Sequence, residues 1–265
     1  MIAGILAASF EPPSTKDFVY GCWGPSVKIA GFDFCFNFII LLVVLTTLIV
    51  LALFFFAFRK PTTVPGRLQL MMELGVQFVR ENIAIPMLGS HGDAFMPLLT
   101  SFFFFILIGN LFEVVPGVNF SHNSRVAFPL VLAIISWLTY NGIGIRKHGF
   151  IGYLRHTCII PAAPGYLRYT LLMLIEFVSN ILVRPVTLTV RLAANFIAGH
   201  FLLAIFFLGT IFFIEDGPKT WVLAGVSFPF AVVLVGFEIF VAALQAFIFA
   251  ILSASYIGQA MAEEH

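Results

Sequence analysis

LLMLIEFVSNILVRPVTLTVRLAANFIAGHFLLAIFFLGTIFF, residues 171–213, is too long and too apolar for an ordinary soluble helix, and Arg191 lies in its middle. A guanidinium keeps its proton in any protein environment. Holding it near the centre of a bilayer costs ~2.5–3.5 kcal/mol on insertion scales and more in simulations, so a chain that keeps one has a partner for it. The expected partner is a carboxylate on another chain. The alternative is an intrachain pair with Glu238, the deep acid nearby, with Arg191 as a structural anchor.

Composition sets the class. Of the 265 residues, 60% are hydrophobic, 10% charged and 33 are Phe, and the mean hydropathy is +1.04. Such values lie outside the range of soluble domains and identify an integral membrane protein. The net charge of +1, with Lys and Arg spread among loops, excludes a nucleic-acid partner. The N-terminal residues lack the basic and long apolar regions of a signal peptide, so they read as mature sequence. Of the three Cys, Cys22 and Cys35 lie close enough in sequence to pair, and Cys158 has no evident partner.

The expected fold is an all-α integral membrane protein of about five crossing helices plus one interfacial amphipathic helix. Residues 1–35 form an extracytoplasmic N-terminal segment and 36–265 a single membrane domain. Spans fall at about 36–58, 95–115, 126–145, 170–214 and 220–258, and the interfacial helix at about 66–84. In that helix Gln69, Glu73, Gln77 and Arg80 share one face, and Leu68, Met72, Val79 and Ile83 another. The last two spans are long: a continuous helix of roughly 40 residues reaches about 60 Å, twice the hydrocarbon thickness, so they are read as a steeply tilted hairpin. Pro185 is expected to kink the first of them, with Thr187 and Thr189 satisfying freed backbone groups. Arg59, Lys60, Arg67, Arg80, Arg146, Lys147, Arg155 and Arg168 fall on one side, against Lys16, Lys28, Arg125 and Lys219 on the other. This bias places the N-terminus outside and the C-terminus in the cytoplasm.

Polar residues within the spans mark the candidate site. Arg191 and Asn195 share a helix face, and His200 points the opposite way. Glu238 and Gln245, two turns apart, share a face of the last helix. With antiparallel helices, His200 and Glu238 both fall on the outer side of the level set by Arg191 and Gln245, as a one-sided proton path requires. Asn195 and Gln245 either line that path or join helices by hydrogen bonds. Towards the inner end lie Glu176, Ser179 and Arg184. Glu176 suits either a polar exit or a helix macrodipole. Asn110 and Glu113, at the outer end of the second span, belong either to the outer water path or to the interface.

The run Arg191-Leu-Ala-Ala-Asn195-Phe-Ile-Ala-Gly199-His200 resembles the signature of subunit a of the F-type ATP synthases. Glu238 with Leu244-Gln245-Ala246-Phe247-Ile248-Phe249, Asn110-Leu-Phe-Glu113-Val-Val-Pro116 and Arg184-Pro185 fit the same family, and the likeness covers nearly all of the chain after Phe32. It implies a stator in a bacterial plasma membrane, without a catalytic site, cofactor or metal, beside a ring of c subunits, b-type peripheral stalk subunits and lipid. Arg191 would meet the ring carboxylate, favour its ionised form and separate two half-channels. His200 and Glu238 would relay protons on the outer side, with Asn195 and Gln245 as neighbours of the arginine and Glu176 and Ser179 near the inner exit.

The competing reading is a proton-coupled secondary transporter in which Arg191 binds an anionic solute. The chain has no internal repeat and too few spans to enclose a midplane cavity. An intramembrane hydrolase would need a metal motif or a nucleophile beside a base, and neither HExxH nor a Ser or Cys at helical spacing from His is present in the spans.

Overall fold

A helix that is apolar on every face is stable where lipid rather than water surrounds it. α1 (Phe38–Phe58) is of this kind. Asn37 caps it, accepting the Ile40 N–H on Oδ1 at 3.1 Å, and Leu48, Leu51, Phe55 and Phe56 stay exposed along it. The computed structural model describes residues 27–29, 32–34, 37–115, 118, 121, 123, 125–158 and 171–262. Ahead of α1, β1 (Val27–Ile29) and β2 (Phe32–Phe34) form an antiparallel ladder, a short addition to an otherwise helical chain. Cys22 and Cys35, which the sequence leaves as a pair or as free thiols, lie outside the described residues.

From Arg67 to Leu111 the backbone is helical almost without interruption. α2 (Arg67–Val79) passes through a π-turn at Arg80–Ala84 into α3 (Ile85–Leu88), and a 3-10 turn leads to α4 (Gly92–Leu111). Gly89, at φ 56°, reverses the chain in a conformation that costs glycine little. α4 therefore folds back on α2: a Cβ at Gly75 would stand 2.6 Å from the Phe104 ring. The amphipathic pattern places Met72, Val79 and Ile83 inside, while Leu68 is exposed. Gln69 is buried instead, because its amide finds partners there: Nε2 donates to Glu73 Oε1 at 2.7 Å and to the Thr62 carbonyl at 3.3 Å.

α5 (Ala127–His148) ends at Gly149, at φ 72°, and is followed by α6 (Phe150–Cys158). α7 (Leu171–Val178) runs through a second π-turn, Ser179–Val183, into α8 (Arg184–Glu215). Pro185 thus follows a π-turn by the same offset as Pro86. A proline both lacks the N–H for the carbonyl four residues back and crowds it, and one wider turn relieves the clash without ending the helix. The Tyr140 hydroxyl donates to the Asn180 carbonyl inside this turn at 2.9 Å. Thr187 and Thr189 donate to the carbonyls of Arg184 and Pro185.

After a turn at Gly217, α9 (Trp221–Met261) returns antiparallel to α8. Contacts fix the register along the pair. Thr220 Oγ1 donates to the Phe213 carbonyl at 2.8 Å, Ser227 Oγ to the Phe206 carbonyl at 3.1 Å, and Arg184 to Gln259 Oε1 at 2.9 Å. In lipid, burial of apolar surface gives helices little reason to associate, so close approach of small residues and polar links carry the packing. Ala246, Ala250 and Ala254, one turn apart on α9, are fully buried against the rest of the bundle. Ser253 on that side receives the Ser136 hydroxyl of α5 at 2.9 Å. Phe102, Phe249 and Tyr140 fill the remaining core.

Candidate functional site

Arg191 is exposed on α8 and makes no hydrogen bond or ion pair among the described residues. The intrachain pairing with Glu238 is therefore not what the fold provides. Ala194 and Ala198, three and seven residues on, share its face and are also exposed. Small side chains beside a lone cation leave room for another helix to approach closely.

Glu238 points the other way, into the contact between α8 and α9, and only 6% of it is exposed. Its carboxylate rests on Gly199: a Cβ at that position would stand 2.5 Å from Oε2 and 2.7 Å from the carboxyl carbon. The glycine is thus the seat of the acid. His200, the next residue, is half-buried and stacks on Phe196 with ring centroids 5.6 Å apart. This contact sets Glu238 at the level of Gly199, one residue before His200.

The register places Gln245 level with residues 192–195, next to Asn195 and one helix face away from Arg191. Gln245 is buried and its Nε2 has no partner among the described residues, while Asn195 is half-buried. Both remain free to serve a group brought in between α8 and α9.

At the end of the bundle that carries the C-terminus of α4, polar groups gather behind Glu238. Asn110 and Glu113 are buried, and Glu113 lies within electrostatic reach of Glu238. Asn123 Nδ2 donates to Asn110 Oδ1 at 2.6 Å, and the Asn123 N–H donates to Ser121 Oγ at 3.2 Å. Asn110 Nδ2, Glu113 Oε1 and Asn123 Oδ1 are buried with no hydrogen-bond partner among the described residues. Buried polar atoms of this kind are the ones that hold ordered water. Ile39, Leu42 and Phe196 pack together with Phe112 in a small apolar cluster of their own.

At the opposite end Asn180 Nδ2 donates to the Glu176 carbonyl at 3.0 Å and approaches Glu176 Oε2 at 3.4 Å. Ser179 opens the π-turn beside it. Arg184 does not reach out alone: its guanidinium lies 4.6 Å from the centre of the Tyr256 ring while it binds Gln259. Glu176 and Ser179 thus sit together on one side, and Arg184 is occupied as a tie between α8 and α9.

Asn123, Ser121 and the part played by Gly199 escaped sequence reasoning. Asn123 and Ser121 sit in a loop, where no periodicity marks an inward face. Asn180 is legible in the sequence as a polar residue beside Glu176 and Ser179, but its carbonyl's partner, Tyr140, is 40 residues away and is not. The signal for Gly199 was available: a glycine in mid-helix costs stability unless something must come close to it.

A family model described as ATP synthase A chain matches residues 40–258. The chain is 38% identical to the ATP synthase subunit a of Rhodococcus erythropolis (strain PR4 / NBRC 100887), an alignment covering 100% of this chain and 95% of the relative. It is 38% identical to that of Streptomyces lividans over 97% of this chain and 89% of the relative. For Nocardioides sp. (strain ATCC BAA-499 / JS614) the figures are 42% identity, 80% and 77%.

Proposed function

Since the chain belongs to the ATP synthase subunit a family and so has a place in the membrane sector of that complex, we propose that it is the stator that couples proton flow to rotation of a c-subunit ring. The observation that carries this reading is Arg191, exposed and unpaired among the described residues, on a helix face that Ala194 and Ala198 keep low. A permanent cation in that position stabilises an ionised carboxylate presented by a passing helix.

The two polar regions then serve as offset half-channels. Protons enter from the outside through the hydrated cluster at Asn110, Glu113 and Asn123 and reach Glu238, which sits against Gly199 next to His200. From there a proton passes to a ring carboxylate that has moved clear of Arg191. A site arriving at Arg191 from the other direction gives its proton to the inner path past Ser179 and Glu176. The guanidinium keeps the two paths from joining, because a proton hopping directly across would have to pass a fixed positive charge. Gln245 and Asn195 offer hydrogen bonds to the ring carboxylate when it is level with the arginine. The orientation, with the N-terminus outside a bacterial plasma membrane and the C-terminus in the cytoplasm, follows the Arg and Lys bias of the loops. A b-type peripheral stalk holds the subunit against the torque.

The test is Arg191→Ala in the assembled complex, with ATP-driven acidification and passive proton leak recorded in sealed inverted vesicles. Pumping is expected to vanish with assembly intact, and leak is expected to rise. Coupled pumping near the unmodified rate would make Arg191 structural and overturn the reading.

A further inference from the structure

α1, α2 and α4 leave a cavity of about 440 Å³ between them, lined by Leu51, Phe54, Phe58, Val76, Pro97 and Thr100 among others. That volume lies within the ~300–1,000 Å³ typical of ligand pockets. The cavity plays no part in the proton paths. Its walls are apolar apart from the hydroxyl residues Thr100 and Ser101, and the first of these is anomalous for this protein. Thr46, Thr47, Thr139, Thr189 and Thr210 all donate to the carbonyl four residues back, and so does Ser101, next to Thr100. Thr100 does not: its Oγ1 is buried without a partner among the described residues, and the residue is 6% exposed. In an apolar surrounding an unused hydroxyl is costly, and a ligand carbonyl that reached it would relieve that cost.

The entrance says what kind of ligand fits. Leu51, 61% exposed, stands at the rim, and the neighbouring face of α1 carries the exposed Leu48, Phe55 and Phe56. The cavity therefore opens towards lipid tails. Leu51, Phe55 and Arg59 form one row along α1, four residues apart. The Arg59 guanidinium lies 5.6 Å from the centre of the Phe55 ring, and Lys60 follows it, both exposed. Two cations thus stand where the apolar row ends, beyond Phe58 at the inner end of the cavity.

We propose that this groove is a binding site for one anionic phospholipid, with an acyl chain in the cavity between α1 and α4, an ester carbonyl accepting from Thr100 Oγ1, and the phosphate held by Arg59 and Lys60. A zwitterionic lipid fits the apolar part but gains less from the two cations. The lipid would fill the space between α1 and the α2–α4 pair, which otherwise meet across an opening.

The test uses the purified complex, delipidated and returned to phosphatidylcholine nanodiscs that contain a minor fraction of phosphatidylglycerol with a diazirine in its acyl chain. After photolysis, adducts are mapped by peptide mass spectrometry. Labelling is expected to concentrate on the peptides carrying Leu51 to Phe58 and Met96 to Thr100, and to fall severalfold more with unlabelled phosphatidylglycerol than with added phosphatidylcholine. Thr100→Val, close in shape, is expected to reduce labelling severalfold, and Arg59→Gln with Lys60→Gln to abolish the preference for the anionic lipid. Leu51→Trp, at an exposed position where folding is not at stake, is expected to block the cavity. Equal competition by both lipids would mean ordinary solvation by the bilayer and would overturn the proposal. So would unlabelled groove peptides when the exposed stretch from Val222 to Phe240 is labelled, since a protein helix would then cover the groove. Unchanged labelling of Thr100→Val would also overturn it.

Discussion

The carboxylate of Glu238 rests on the bare Cα of Gly199, so that one residue on α8 decides where the buried acid of α9 can stand. The contact joins two positions that are 39 residues apart in sequence and sit next to His200. It also makes the acid's position testable separately from its chemistry.

Gly199→Ala puts a methyl group where the carboxylate now lies. The obstructing atoms are the end of a flexible side chain, so Glu238 can swing aside and the thermal stability of the complex is expected to change by no more than about 1 kcal/mol. ATP-driven acidification is expected to drop about tenfold, corresponding to ~1.4 kcal/mol of barrier. Unaltered pumping with the same stability would show that the seat of Glu238 does not matter to proton flow.

The cluster of Asn110, Glu113 and Asn123 offers three buried polar atoms to water. Asn123→Leu is expected to dry it and to slow acidification severalfold, while Arg191-dependent blockage of leak stays intact. The readout is proton flux measured beside passive leak in the same vesicles. Equal flux in the variant would place the outer path elsewhere.

Ser136 and Ser253, both fully buried, are joined at 2.9 Å between α5 and α9. Either single replacement by Ala leaves one hydroxyl unsatisfied and is expected to destabilise by ~0.5–1.5 kcal/mol, whereas the double replacement is expected to be nearly neutral. A double-mutant cycle on thermal melting of the complex should then give a coupling of ~1–3 kcal/mol, the two single losses together. Strict additivity would mean that the bond contributes nothing.

Tyr140→Phe removes the hydroxyl that satisfies the Asn180 carbonyl in the π-turn. The expected loss is ~1–3 kcal/mol, with faster amide hydrogen exchange confined to the turn at Ser179–Val183. Uniform exchange along α7 and α8 would show that the turn is held by Pro185 alone.

Much of this protein was legible in its sequence because lipid imposes simple rules. Runs of apolar residues too long for a soluble helix gave the crossing elements, and a charge that cannot be neutralised gave Arg191 its meaning. That Glu238 and His200 fall on the same side of Arg191 followed from two antiparallel helices and a fixed rise per residue. Pro185 foretold a disturbance, though not the π-turn at Ser179–Val183 that precedes it and relieves the ring clash without ending the helix.

Sequence by itself determined that the chain is a helical membrane protein, which helices are long, and that Arg191 needs a partner, since composition and periodicity act along the chain. Tertiary structure alone decided which face each polar residue shows. It turned Arg191 outward and Glu238 inward, set the carboxylate on Gly199, and brought Asn123 from a loop to Asn110 and Tyr140 to the carbonyl of Asn180. The physical reason is that lipid treats all apolar faces alike. Which face is buried is therefore chosen by close contacts between small residues and by single hydrogen bonds between distant helices, and neither leaves a period in the sequence.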